Sequence, residues 1–159
     1  MKTSLSHLLS ATVLALSVHV AYAADTEPAT PAVADKLAPA RAQIAAKQWQ
    51  AAIDELKRVN ETDSADWNNL MGYTHRKAKK PDLAAAEKYY DAALRIDPKH
   101  RGALEYSGEL YLMKGDLATA EKRLATLDKV CMLPCEEYTD LKKAVANYKA
   151  NRNQYVSTY

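Results

Sequence analysis

The sequence predicts an all-α protein built from helical hairpins that recur at a fixed stride. Three observations predict it. First, Trp49, Ala52, Leu56 and Val59 recur one stride later as Leu83, Ala86, Tyr90 and Ala93, and after an equal stride as Leu117, Ala120, Leu124 and Leu127. All of these are apolar, and offsets of three, four and three put each set on one helical face. Second, one column is alanine in all three copies. Two helices approach closely only where small side chains stand at their crossing, so Gly108 with Ala120, and Gly72 with Ala86, are expected there. Third, Gly115-Asp116 separates two helical patterns. The glycine suits a helix end that needs positive φ, and the aspartate suits an N-cap.

The elements follow in chain order. Met1-Lys2 precede a largely apolar, uncharged run from Leu8 to Val20, and Ala21-Tyr22-Ala23 makes a small-x-small site. Residues 1–23 therefore read as a secretory signal peptide cleaved after Ala23. The run is short and broken by Ser10, Ser17 and His19, which argues against a membrane anchor. No second apolar run follows, so no stable membrane insertion is expected. Residues 24–35 are rich in Ala, Pro and Thr and read as a flexible leader. The repeats span 36–134: a degenerate copy at 36–64, where Pro39 predicts a short first helix and the turn lacks glycine, and fuller copies at 65–98 and 101–134. Gly72 stands farther before Leu83 than Gly108 stands before Leu117, by two positions, so the turn around Lys79-Lys80-Pro81 is expected to be longer and exposed. In 135–150, Tyr138, Leu141, Val145 and Tyr148 share one face of an amphipathic helix that caps the array. Pro134 suits its first turn, and Glu136 and Glu137 suit its positive N-terminus. Residues 151–159 lack apolar periodicity and are expected to fray.

The copy from Arg101 to Pro134 resembles the tetratricopeptide repeat, a helix-turn-helix unit of about 34 residues. Gly108, Tyr111, Gly115-Asp116-Leu117 and Ala120 fall where that family places its small, aromatic, turn and small residues. Ala93-Leu94-Arg95-Ile96-Asp97-Pro98 is similar to its closing motif. The resemblance covers about residues 36–134 and implies an α-solenoid of about three such units plus the capping helix. It also implies a concave groove lined by Asn69, Tyr73, Arg76 and Lys77 on one repeat and by Glu105, Glu109, Leu112 and Met113 on the next. Such a groove would run from a basic to an acidic half, suited to an extended peptide or a partner helix.

The whole chain carries 22 basic and 20 acidic side chains, one of the basic ones being Lys2 in the signal segment. That near-balance argues against a general nucleic-acid binder. No Ser-His-Asp or Cys-His arrangement can be assembled, and no glycine-rich phosphate loop is present, so the chain reads as no enzyme. No cofactor, metal or small-molecule substrate is expected. His75 reads as a packed histidine and His100 as a solvated one. The basic segment from His75 to Lys80 reads as a solvated helix end whose cations complement the C-terminal dipole. The two cysteines, Cys131 and Cys135, lie in the exported part, where a disulfide that ties the cap to the array is the leading reading. The expectation is a periplasmic, non-catalytic scaffold or adaptor for a protein or peptide in the bacterial cell envelope. The alternative is a redox-linked, chaperone-like factor that uses Cys131 and Cys135.

Overall fold

A computed structural model describes residues 35–133 and 135–156. The signal segment, nearly all of the leader, Pro134 and the last three residues lie outside them, and so do the expectations placed on those stretches. The described residues form seven helices and no strand: α1 (Ala38–Ala45), α2 (Trp49–Val59), α3 (Ala65–Lys77), α4 (Leu83–Ile96), α5 (Arg101–Met113), α6 (Leu117–Val130) and α7 (Glu136–Ala150). Each helix packs on the next, and α5 also meets α3 and α7.

Local chemistry sets the helix ends. Pro39 fixes the first turn of α1, which runs only eight residues. Ser64 caps α3 by accepting the Trp67 N–H at 3.2 Å. Asp82 and Asp116 occupy the same place in successive repeats. They cap α4 and α6 by accepting the N–H groups of Ala85 and Thr119 at 2.9 and 3.0 Å. Gly115 has φ 81°, as its turn requires. Five residues link α3 to α4 where three link α5 to α6, and Lys79, Lys80 and Pro81 in the longer link are exposed, as the sequence predicts. His100 corrects a prediction. Its side chain is only 14% exposed and lies 2.9 Å from Asp66 through Nε2, while Nδ1 accepts the Ala103 N–H at 3.1 Å and caps α5. That geometry places the ring hydrogen on Nε2.

The core falls into three clusters along the chain. Leu37, Ala40, Leu56, Trp67, Leu70 and Met71 form the first, tied by the Trp67 indole N–H donating to the Leu56 carbonyl at 2.7 Å. Ala86, Tyr90, Ala93, Ala103 and Leu110 form the second. Leu104, Leu112, Ala120, Leu127 and the α7 residues Leu141, Ala144, Val145 and Tyr148 form the third. Ala52, Ala86 and Ala120 are fully buried, the environment their shared column predicts. The atoms nearest the two glycines belong to Tyr90 and Leu141. A Cβ on Gly72 would stand 2.6 Å from the Tyr90 ring, and one on Gly108 2.5 Å from the Leu141 side chain. Gly108 therefore makes room for α7, and Gly72 for the largest fully buried side chain among the described residues.

Candidate partner-binding groove

The first residues of this site come from α3. Helical spacing sets Asn69, Tyr73 and Arg76 on the α3 face that turns toward α5, and the parallel spacing on α5 sets Glu105, Tyr106 and Glu109 opposite. Tyr73 and Tyr106 approach to 4.7 Å between ring centroids, and Trp49 of α2 meets the edge of Tyr73 at 6.1 Å. A row of three aromatic rings thus runs across α2, α3 and α5.

Arg76 sits between these rings rather than out in a groove. Its guanidinium carbon is 5.6 Å from the centroids of both Tyr73 and Tyr106. Its Nη1 is 2.6 Å from Glu109 Oε2, and the two side chains are 1% and 0% exposed. Its Nε donates to the Tyr90 hydroxyl at 3.4 Å. The contact with Glu109 is electrostatic rather than directional, since neither Glu109 oxygen has hydrogen-bond geometry to a protein donor. Burial opposes the charge of Arg76, but Tyr90, Glu109 and Tyr155 outweigh it and hold the guanidinium above its usual range. Burial likewise raises the hydroxyls of Tyr90, Tyr106 and Tyr73.

These contacts correct the picture of a groove running from basic to acidic. Arg76 and Glu109 neutralise each other inside the protein, so neither faces solvent to meet a partner's charge. Asn69 is 7% exposed and its amide lies against Gly102. Leu112 belongs to the third core cluster. Lys77 and Met113 are half-buried at the ends of α3 and α5, and burial lowers the Lys77 amine. Exposed Lys47, Lys79 and Lys80 stand elsewhere, around Trp49 in a cleft of about 660 Å³. His75 is half-buried and stacks on Tyr89 at 5.5 Å, and burial lowers its imidazole pKa.

What remains open is acidic and aromatic. Tyr73, Glu105 and Tyr106 join Glu136, Glu137 and Asp140 of α7 around a cavity of about 250 Å³. Glu105 is 5% exposed. Burial, reinforced by Glu109, Asp140 and Glu137, pushes its carboxyl up to about 8. Of these residues, sequence reasoning points to Tyr73 and Glu105, and it reads Glu136 and Glu137 only as a helix start. It misses Tyr106 and Asp140. One signal is available: Glu136, Glu137 and Asp140 are spaced one and three residues apart on a single helical face. Among the described residues, no three His, Cys, Asp or Glu side chains converge as metal ligands would. No described helix is long and apolar enough to cross a membrane.

Beside the start of α5 the Cys131 and Cys135 sulfurs are at bonding distance, 2.03 Å. They border a cleft of about 520 Å³ with Arg101, Glu136 and Glu137, next to Met132 and Leu133, which are 98% and 80% exposed. No family model matches the chain, and no curated protein matches it in sequence.

Proposed function

We propose that this chain is an exported, non-catalytic binding scaffold, built as a short tetratricopeptide-like solenoid, that holds a protein segment across its α3, α5 and α7 face. One observation carries the reading: the cavity in which Tyr73 and Tyr106 stand beside Glu105, Glu136, Glu137 and Asp140. Aromatic walls with several carboxylates match the two demands of a lysine or arginine side chain, a flat apolar surface for its stem and anionic partners for its head. The constant stride and the buried alanine column support the repeat architecture. The leading segment supports a periplasmic location. The mature chain is expected to begin at Ala24, which mass spectrometry of the exported protein would read directly.

The test uses charge reversal on the rim rather than in the core. Asp140→Lys with Glu137→Lys leaves the helical circular dichroism unchanged and abolishes capture of a partner that the unaltered chain crosslinks in its native envelope. The same pair also weakens binding of arginine-containing peptides while leaving acidic ones unaffected. Equal capture by the charge-reversed chain would remove the groove reading.

A second reading rests on the bonded cysteines beside exposed Met132 and Leu133. A redox-linked factor would exchange this disulfide with client thiols. Titration of free thiols and turnover on a model disulfide separate the readings, since a structural bridge stays oxidised and inert.

A further inference from the structure

We infer that the cleft around Trp49 is a docking site for an acidic protein segment that carries an aromatic or aliphatic side chain. This site stands apart from the acidic cavity of α5 and α7, and the two readings fail separately. Two short links wall the cleft. One joins α1 to α2 and contributes Lys47 and Gln48; the other joins α3 to α4 and contributes Ala78, Lys79 and Lys80. Trp49, Gln50 and Ala51 of α2 complete a volume of about 660 Å³. All three lysines are exposed. Among the described residues, none of the three makes an ion pair. Two acids nearby in the chain already have donors: Asp54 accepts from the Gln50 amide at 2.9 Å, and Asp82 caps α4.

Both links depart from the pattern of the third hairpin, and each departure brings lysine to this cleft. Between α5 and α6 the Gly115 N–H donates to the Leu112 carbonyl at 3.1 Å and the Asp116 N–H to that of Tyr111 at 2.8 Å. That pair of bonds closes a helix end around a residue of positive φ, here the glycine. Lys47 and Gln48 make the same pair, to Ile44 and Gln43, at 2.9 Å each. Lys47 therefore holds a glycine position, at φ 55°, a conformation that strains an L side chain. Strain kept where the same turn accepts glycine points to the side chain rather than the turn as what is used. The link from α3 to α4 runs five residues where that from α5 to α6 runs three, and Lys79 and Lys80 lie in the longer one.

The chemistry of the walls selects the occupant. Trp49 is half-buried and held edge-on against Tyr73 at 6.1 Å, so a fixed aromatic wall stands among the cations. An apolar side chain laid on it adds contact that salt does not screen. Lysines from two separate links are separate point charges rather than one planar fork, and they match carboxylates spaced along a chain. A recessed cleft admits a chain segment where a flat lipid surface meets only its rim. With 22 basic and 20 acidic side chains, the protein offers a nucleic acid no general basic excess. Each exposed lysine contributes little alone, so docking depends on all three together with Trp49 and weakens as salt rises.

The experiment uses the full mature chain, unaltered, as Lys47→Gly, and as Lys79→Glu with Lys80→Glu. The probe is an unlabelled peptide, Asp-Glu-Phe-Glu-Asp, acetylated and amidated, titrated at low salt while the indole N–H resonances are followed. The Trp49 resonance shifts, whereas that of Trp67, buried and bonded to the Leu56 carbonyl, stays in place. Lys47→Gly binds the probe about threefold more weakly and the double reversal about tenfold. The urea midpoint of Lys47→Gly does not fall, which separates a lost contact from a lost fold. A probe with serine in place of phenylalanine binds more weakly than the original. No Trp49 shift at any peptide concentration overturns the inference, and so does equal binding by Lys47→Gly and the unaltered chain. Equal binding of the serine probe reduces the site to general charge attraction and overturns it as well. Phosphatidylglycerol vesicles bound by the unaltered chain and released by the double reversal, with no peptide bound, would assign the cleft to a lipid surface instead. A dimer of the unaltered chain that the double reversal dissolves would assign it to a second copy. The rim charge reversal of Glu137 and Asp140 tests the acidic cavity whatever the outcome here.

Discussion

The first hairpin, α1 with α2, and the third, α5 with α6, share one plan and differ in almost every local device that enforces it. In α1 the only buried residue is Ala40, whereas α5 buries eight of its thirteen residues. Position 115 is a glycine at φ 81°, and its counterpart two strides earlier is Lys47 at φ 55°. Asp116 caps α6 with its side chain, and Gln48 at the matching place makes no such bond. The difference shows where the stride comes from. Apolar columns alone hold the first hairpin to the repeat, because its turn residues work against it. The third hairpin has turn, cap and packing in agreement. It also lies between neighbours on both sides, since α3 and α7 both pack on α5.

That position of α5 underlies the largest expected effect. Glu109 is buried against Arg76, so removing either partner leaves an uncompensated charge in the core. Arg76→Met alone should cost about 3–5 kcal/mol, as should Glu109→Met. The double substitution, with two apolar side chains of similar length, should return to within about 1–2 kcal/mol of the unaltered protein. Denaturant melts of the three variants close the cycle. The ion pairs that Lys36 and Arg41 make beside the first hairpin are exposed instead, and breaking them strands no charge in the core.

This buried pair marks the boundary of what the sequence makes legible. Periodicity identifies the face on which Arg76 and Glu109 lie, and it places the alanine column and Tyr90 in the core, where the structure has them. A period reports which side of a helix a residue is on, not what packs against that side. Here α7 packs on α5, and the Tyr73 and Tyr106 rings flank Arg76, on a face whose neighbours no period specifies. Arg76 stands four positions after Gly72, but Glu109 only one after Gly108. Tyr73 stands one position after Gly72 and Tyr106 two before Gly108, the same shift of register as between Arg76 and Glu109. Opposite charges about one helical turn out of register on adjacent first helices are therefore a readable sign of a cross-repeat contact. His100 escapes local reading for the same reason: its partner Asp66 stands 34 residues away, on the preceding repeat.

The acidic cavity gives the next effect, and it depends on pH. The Glu105 carboxyl is raised in the folded chain to about 8, from about 4.5 when unfolded. A raised acid binds more protons folded than unfolded. Its stabilising contribution is therefore fully present below about 4.5, shrinks as pH rises, and is lost once pH passes about 8. The unaltered chain should lose roughly 1–4 kcal/mol relative to Glu105→Gln between pH 5 and pH 9. Urea melts across that range would show the two proteins diverging, with the glutamine variant more stable at the alkaline end. Parallel curves would mean that Glu105 is as well solvated as the exposed acids of the first hairpin.

The two glycines that admit large neighbours sharpen the comparison further. Gly72 faces the Tyr90 ring, which is fully buried and cannot swing away. Gly108 faces the tip of Leu141, which is as fully buried but ends in a branched aliphatic group with other rotamers rather than a rigid ring. Gly72→Ala should therefore cost about 1–3 kcal/mol by overpacking, against a gain of about 1 kcal/mol in helix propensity. Gly108→Ala should come out near neutral. Equal losses at both sites would show that the Leu141 tip is as tightly held as the Tyr90 ring.

The smallest effects come from giving the first hairpin the turn chemistry of the third. Lys47→Gly removes a left-handed lysine, a conformation that costs an L side chain about 1 kcal/mol. Part of that gain is lost to the greater freedom of glycine in the unfolded chain. Gln48→Asp places a carboxylate where Asp82 and Asp116 already accept amide protons, for a gain of about 0.5–1 kcal/mol. The two changes are adjacent and act on one turn, so their sum is expected to fall somewhat short of additive. If the first hairpin is held to the stride by its apolar column alone, amide exchange in α1 and α2 should slow in the double variant while that in α5 and α6 is unchanged. Slower exchange in every helix would instead mean that the hairpins unfold as one cooperative unit, and that the weak turn at Lys47 is felt in every helix.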